Sequence, residues 1–288
     1  MFEDDAGTSR HGDAEKLDDG AALLADWVAQ VLHAEPALDQ TWKDHALALR
    51  TAFEIFGYGQ ELIVEPGPFT YVASDPFYAY QTSPSAQNVL VVDNDDTVSK
   101  KESASSRVLA HGAQGNTPWV QASHAHYGPL GVSLVRTFAF AKPDTFVVID
   151  HLQSSARHQY AQHFHLHPDL EHLETPDDHT VIASRPGGPS LAIAAGFRPD
   201  RIEMPRGVAE GSVRRGWYFP SFLVKQPAYD VVTEGAADTI DLPVVIVLSA
   251  PGKAARIPAD LAYREAGQLA TLSWRLDGIE HTLSVPRH

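Results

Sequence analysis

The chain has 288 residues, with 37 acidic against 22 basic side chains, a formal charge of -15 and no cysteine. The acid excess and the lack of a basic stripe argue against nucleic-acid binding, and the missing cysteines exclude disulfides, thiolate metal sites and a Cys nucleophile. Hydrophobic residues make up 43 %, enough for a substantial core, and 20 Gly with 20 Pro suit many turns between strands better than long helices.

Residues 1–20 are polar and acidic and read as a tail. They contain no basic region followed by an apolar stretch, so no signal peptide is visible. No apolar run approaches the roughly 18 residues needed to span a membrane. Taken as written, the chain is expected to be cytoplasmic unless it is a piece of a longer precursor. Ala21 to Glu35 reads as an amphipathic helix, because Leu23, Leu24, Trp27, Val28, Val31 and Leu32 form one apolar stripe that stops at Pro36. It is the only helix the periodicity supports. Its stripe needs a partner, either the domain that follows, a separate chain or a second copy.

From Trp42 onward the pattern changes to period two and short apolar runs. Strands are expected over Leu47–Tyr58, Glu61–Val64, Asn88–Asp93, Ser105–His111, Trp119–Ala125, Gly131–Ala141, Thr145–Gln153 and His158–His167. They continue over His179–Ala183, Ser190–Ala195, Val213–Pro220, Phe222–Gln226, Tyr229–Glu234 and Leu242–Ser249. The last pair, Thr271–Leu276 and Ile279–Val285, is joined by Asp277-Gly278, a strong two-residue hairpin signal. So many short strands without interleaved helices predict an all-β protein, a large antiparallel β-sandwich of two packed sheets with one short N-terminal helix. The boundary is drawn between residues 1–40, tail and helix, and residues 41–288, the sandwich. Lys253–Ala266 reads as the possible start of a small subdomain.

Fifteen histidines are many for this length, and five fall between His158 and His172. His163, His165 and His167 share one face if the strand continues through them, which suits a metal or a polar cluster; on an exposed face they would be ordinary. Tyr71, Tyr78 and Tyr80 offer rings to sugars and hydroxyls to carboxylates, or they pack at sheet edges. Gln87 and Asn88 offer amides to a carboxylate, or they satisfy backbone at a strand start. Arg136 lies inside a long strand and is expected to pair with an acid. Glu65 is read either as a ligand or as a turn residue before Pro66-Gly67.

The blocks AFEIFGYGQELIVEPGPFTY, DPFYAY and SPSAQNVLVVD, followed by VSLVRTFAFAKPDTFVVIDHL, HQYAQHFHLHPDL and RGWYFPSFLVKQPA, resemble the C-terminal β-sandwich of the heparinase II/III-like polysaccharide lyases. GDAEKLDDGAALLADW is similar to the end of the helical toroid that precedes that sandwich in the family. The resemblance implies β-elimination at a uronic acid: a base takes the C5 proton, the neighbouring carboxylate is neutralised, and the 4-O-glycosidic bond breaks. It implies an acidic polysaccharide or oligosaccharide of the alginate-like, uronate-containing kind as partner, no nucleic acid and no membrane, a toroid domain completing the cleft, and a periplasmic or secreted location. Carried over by position, His45 faces substrate, Leu47 stands where the family has a metal-binding His, Glu65 takes the acidic ligand and His165 the last ligand. Gln87 replaces a His that faces the cleft, beside Asn88. Zinc would then rest on Glu65 and His165, with His163 or His167 as a substitute third ligand. Because Leu47 and Gln87 depart from the pattern and the family's catalytic Tyr lies on the toroid, weak or no activity is expected from this chain. The alternatives are a non-catalytic carbohydrate-binding or structural sandwich, or a subunit that shares its site with a separate toroid.

Overall fold

The computed structural model describes residues 51–96 and 107–287. The predicted helix at 21–35, His45 and Leu47 lie outside them. The described chain opens with a small hairpin, β1 (Ile55–Gly57) and β2 (Gln60–Ile63), and a seven-residue helix α1 (Pro76–Thr82). That helix corrects the sheet-edge reading of Tyr78 and Tyr80, while Tyr71 precedes it. Its start is built from Asp75, whose carboxylate accepts from Phe77 N at 2.8 Å, with Pro76 at the first helical position.

Four strands follow: β3 (Leu90–Val92), β4 (Arg107–Gln114), β5 (Thr117–His124) and β6 (Ser133–Ala141). They lead into β7, which runs unbroken for 21 residues from Thr145 to His165. Its partner β16 (Asp230–Ser249) is 20 residues long and antiparallel to it over nearly its whole length. Between them come β8 (His172–Glu174), β9 (Thr180–Ser184), β10 (Ser190–Ala195), β11 (Arg201–Glu203), β12 (Val208–Glu210), β13 (Val213–Arg215), β14 (Trp217–Ser221) and β15 (Val224–Pro227). The β7–β16 ribbon is the spine of a ten-stranded antiparallel sheet ordered β4-β5-β6-β7-β16-β10-β9-β8, with β3 on the far half of β7 and β11 on the near half of β16.

The sequence pattern divided each of these long strands in two, because the polar runs at Ser154–Arg157 and Gly235–Ile240 read as turns. They are instead where the ribbon bends. The register slips between Ala237 and Thr239, which face His158 and Gln153, so residues 154–157 bulge out of the ladder. The bend lets the two halves of one ribbon face each other. A single core cluster joins Val148, Val244, Ile246 and Leu248 from one half with Phe164 and Val231 from the other. This is the sandwich, made chiefly by one sheet folded on itself.

A separate sheet, β17 (Ala259–Ala266), β18 (Leu269–Leu276) and β19 (Ile279–Pro286), covers the remaining face. Val147, Ile149, Val245 and Val247 pack there on Leu272, Trp274 and Leu283. The first half of β7 and the second half of β16 are thus buried on both faces, which is why FVVI and VVIVL are continuous apolar runs. The expected Asp277-Gly278 turn has both residues at positive φ, 52° and 80°. The expected subdomain at 253–266 is the loop and first strand of this same sheet.

Arg136 pairs with an acid, as expected. Its guanidinium donates to both Asp150 oxygens at 2.6 and 2.7 Å and to the carbonyls of Asn88 and Thr51 at 2.5 and 3.1 Å. Gln162, on the other half of the ribbon, donates to Asp150 at 2.7 Å, so this buried network ties the two halves together. Among the described residues, no helix is long and apolar enough to cross a membrane.

Candidate functional site

The far half of the ribbon carries His163 and His165 on the same face, as period two requires, with Phe164 turned into the core between them. Their rings lie parallel, 5.9 Å apart with 6° between planes. Opposite His165 across the ladder stands Asp230, the first residue of β16. His163 Nδ1 lies 3.0 and 3.2 Å from the two Asp230 oxygens, and His165 Nε2 lies 3.7 Å from Oδ1. His165 Nε2 also meets the Ser85 carbonyl at 3.1 Å. All three residues are buried. Burial pushes the His165 imidazole down, with Asp230 opposing. Burial pushes the Asp230 carboxyl up, but the flanking His165 and His163 outweigh it and hold the group below the usual carboxylate range.

This cluster opens on a cleft of about 410 Å³. His163, Ala161, Val91 and Glu234 line it from the sheet, α1 and the Ser83–Ser85 turn form one wall, and Ser212–Arg215 of the β12–β13 hairpin forms the other. Arg214 lines the cleft, together with the acids Asp96 and Glu234, and shares the Phe77 ring with Lys225, which lies outside the cleft lining. Arg214 Cζ lies 4.9 Å and Lys225 Nζ 4.1 Å from the centre of the same Phe77 ring, on α1. Among the described residues, neither has a carboxylate within ion-pair distance, whereas Arg215 beside them is paired with Glu203 at 2.7 Å. Phe77 is itself locked among Phe69, Trp217 and Phe219.

The residues singled out from sequence are distributed unevenly around this cleft. Tyr80 lines it, but its ring is buried on Phe219 and its hydroxyl accepts from Trp217 N at 3.2 Å. Tyr78 is half-buried on the same helix, and Tyr71 is exposed and stacked on Phe222 at 5.6 Å. Gln87 is enclosed and donates to Gln81 O at 3.2 Å. Asn88 is an anchor for three segments. Its amide donates to Phe53 O at 2.8 Å, Val64 O at 2.9 Å and Glu65 Oε1 at 2.9 Å, and its oxygen accepts from His165 N at 2.6 Å.

The ligand set implied by the resemblance does not converge. Glu65 accepts from the backbone and side chain of Asn88 at 3.0 and 2.9 Å and does not join His163 and His165 in one donor cluster. Burial raises its carboxyl to about 8, aided by the neighbouring Glu54 and opposed by Asn88, which favours the neutral acid that a cation would have to displace. His167 does not share the face of His165, because β7 ends at His165, before Pro168. Its ring lies instead 5.4 Å from Tyr218, and its Nε2 is 4.0 Å from Glu61. The donors that do converge are His163, His165 and Asp230, all within 4.8 Å of one another. Asp230 went unread because it lies 67 residues beyond His163 in sequence. The only signal was an acid opening the strand that pairs with a His-rich one. Arg214 and Lys225 were missed because cation–π partners have no sequence spacing.

Fold and cleft together define an all-β sandwich with an acid-and-histidine cluster under a cation-bearing groove. The model of the family described as Heparinase II/III-like, C-terminal, matches residues 21–263, and the chain belongs to that family. Among solved structures it is similar to the heparan sulfate lyase HepC of Pedobacter heparinus, at 18% identity with TM-score 0.66, covering 82% of this chain and 36% of that one. It is also similar to a heparinase III at 16% identity with TM-score 0.67, covering 82% of this chain and 36% of that one. The chain therefore spans about a third of the length of these relatives, and at such identities the likeness shows the fold. No curated protein matches it by sequence.

Proposed function

We propose that this chain is the sandwich part of a polysaccharide lyase-type protein and that its cleft receives an acidic, uronate-containing glycan. The observation that carries this reading is the pair of cations, Arg214 in the cleft lining and Lys225 beside it, held on Phe77 with no carboxylate within ion-pair distance among the described residues, in a protein of net charge -15. In so acidic a chain, cations are usually consumed by nearby carboxylates. Two such cations on one aromatic ring, one of them in the groove lining, suit a ligand that brings its own negative charge. Neutralising a uronate carboxylate is also what β-elimination requires before the C5 proton can leave. Tyr71 on Phe222 would add a stacking surface for a sugar ring. By resemblance His45 is the group for proton transfer. A location outside the cytoplasm follows from the same reading, since the substrate is an extracellular polymer.

The test is binding of alginate, heparan sulfate and hyaluronan by calorimetry at low salt, with the Arg214→Ala/Lys225→Ala double variant beside the wild type. At least one of these polymers is expected to bind, about 10-fold or more weaker in the double variant and more weakly for both as salt rises. No binding, or equal binding by the two proteins, would reject the cleft as the anion site. A second reading is a non-catalytic glycan-binding sandwich. It is favoured by the enclosure of Gln87 and Asn88, whose amides are committed to the protein itself. It predicts the same binding without the ultraviolet absorbance of an unsaturated uronate.

A further inference from the structure

The geometry points to a second, separate site: Ser154, His158 and Asp93, at the bend of the β7–β16 ribbon, form a nucleophile–base–acid triad that hydrolyses carboxylic esters with a small acyl group. His158 Nδ1 lies 2.7 Å from Asp93 Oδ2, and His158 Nε2 lies 3.1 Å from Ser154 Oγ. A carboxylate only accepts, so Nδ1 carries the proton, and Nε2 of the neutral ring is left to accept from the Ser154 hydroxyl. An activated serine needs this order of contacts, with its hydroxyl on a base and that base oriented by an acid. The bond from His158 also holds the Asp93 carboxyl below the usual carboxylate range, which keeps it ionised as the acceptor.

The fold positions each member. Asp93 follows β3 in the left-handed region at φ 52°, and Asn94 follows at 55°, a conformation that non-glycine residues keep where surrounding contacts impose it. Here the Gln159 amide donates to Asp93 Oδ1 at 2.9 Å, and Asp93 N donates to Gln159 O at 2.9 Å. These bonds aim the carboxylate at the buried His158 ring. Ser154 is half-buried and opens the bulge. Among the described residues, 154–157 fall outside the registers that β7 makes with β6, β16 and β3, so their amides are not consumed by those ladders. The Ala156 amide already reaches Ser154 Oγ at 3.3 Å. Backbone amides beside the nucleophile are the kind of donor that a tetrahedral oxyanion needs. Gln153, Ser155, Ala156 and Arg157 are exposed, an open polar surface that suits a short acyl group on a large alcohol better than a long acyl chain. In the reaction, Ser154 Oγ adds to the ester carbonyl carbon as its proton passes to His158 Nε2. The acyl C–O bond then breaks, and the alcohol leaves with that proton. Water adds to the acyl-serine, giving a proton to Nε2, and the bond to Oγ breaks as Oγ takes the proton back, which releases the carboxylic acid. None of the three residues lines the cleft, so this site does not rest on the glycan reading and failure of one leaves the other standing.

The test treats the full chain with a fluorophosphonate, locates the label by peptide mass spectrometry, and follows p-nitrophenyl acetate hydrolysis in parallel. One label per chain is expected, on Ser154. Ser154→Ala should abolish it, and Ser154→Ala and His158→Gln should each lower ester hydrolysis by ~100-fold or more. Asp93→Asn should lower kcat by ~10-fold or more with KM unchanged, because the imidazole loses its tautomer and orientation rather than its substrate. Ser155→Ala, on the exposed neighbour, should change neither readout. If His158→Gln does not fold by circular dichroism, the position of the label in the wild type and its loss in Ser154→Ala decide the question. No label, a label on another residue, or ester hydrolysis that survives Ser154→Ala would overturn the assignment.

Discussion

Glu65 shows how a carboxylate can be placed for structure in a position where chemistry was expected. Its carboxyl is raised from the ordinary 4.5 to about 8 by burial, and Oε2 has no hydrogen-bond partner. The native state therefore keeps a proton that the unfolded chain releases near pH 4.5. Between about pH 4.5 and 8 the unfolded state binds fewer protons, so this group lowers stability as pH rises through that window and then levels off. Glu65→Gln should remove that slope while keeping an oxygen for the two Asn88 donors. Urea midpoints from pH 5 to 9 are expected to fall less steeply in the variant, with a gain on the order of 1–3 kcal/mol above pH 8. An unchanged slope would mean that Glu65 is ionised in the native state at neutral pH. Arg136 poses the opposite case. Arg136→Met strands Asp150 among apolar neighbours and should cost about 3–5 kcal/mol, whereas Arg136→Met with Asp150→Leu should recover much of that loss. The Arg136 pairing was legible because a charged residue inside a long apolar strand must be neutralised. Its partner was not, because Asp150 reads equally well as a turn residue at a strand end.

At the scale of elements, the sequence resolved what periodicity can resolve. The doubly buried runs of β7 and β16, the β18–β19 hairpin and the strand carrying His163 and His165 were all legible, because their apolar patterns follow directly from which faces are covered. The continuity of β7 through Ser154–Arg157 and of β16 through Gly235–Ile240 was not legible. Main-chain pairing needs no apolar side chains, so the bend of the ribbon looks like a loop. Helix α1 was missed because seven residues give too few turns for a stripe, although Asp75-Pro76 carried a start signal. Gly67 is the clearest element-level constraint. It sits at φ 75°, and a Cβ there would stand 2.4 Å from the Phe219 carbonyl oxygen. That contact seats β14 and its aromatic cluster against the segment before α1, where Phe219 N donates to Pro66 O at 2.7 Å. Gly67→Ala should thus lower stability by about 2–3 kcal/mol and loosen the wall that carries Phe77, whereas Gly59→Ala, at φ 77° with open space around it, should cost only about 1 kcal/mol. Equal losses in the two variants would show that Gly67 is required for its backbone angle alone.

For the molecule as a whole, the sandwich was legible and the working site only in part, because a site is defined by strands that meet through long-range register. β-Elimination needs a base at C5, an acid at the leaving oxygen and a neutralised carboxylate within one closed cleft. On the proposed reading, Arg214 and Lys225 would supply the last of these. Asn88 and Gln87 hold their amides inward, and by family resemblance the catalytic Tyr belongs to a toroid. The heparinase III structures are matched over about 36% of their length, which leaves room in them for the other wall of a cleft. The chain alone is therefore expected to bind acidic glycan while producing little or no unsaturated uronate, measured as ultraviolet absorbance during incubation with alginate, heparan sulfate and hyaluronan. Joining it to a family toroid, in cis or as a separate chain, should raise that rate, and Arg214→Ala should lower it again. Robust turnover by the chain alone, abolished by Arg214→Ala, would instead locate the whole catalytic apparatus in the sandwich and remove the need for a toroid. Turnover indifferent to Arg214 would move the reacting sugar away from this cleft.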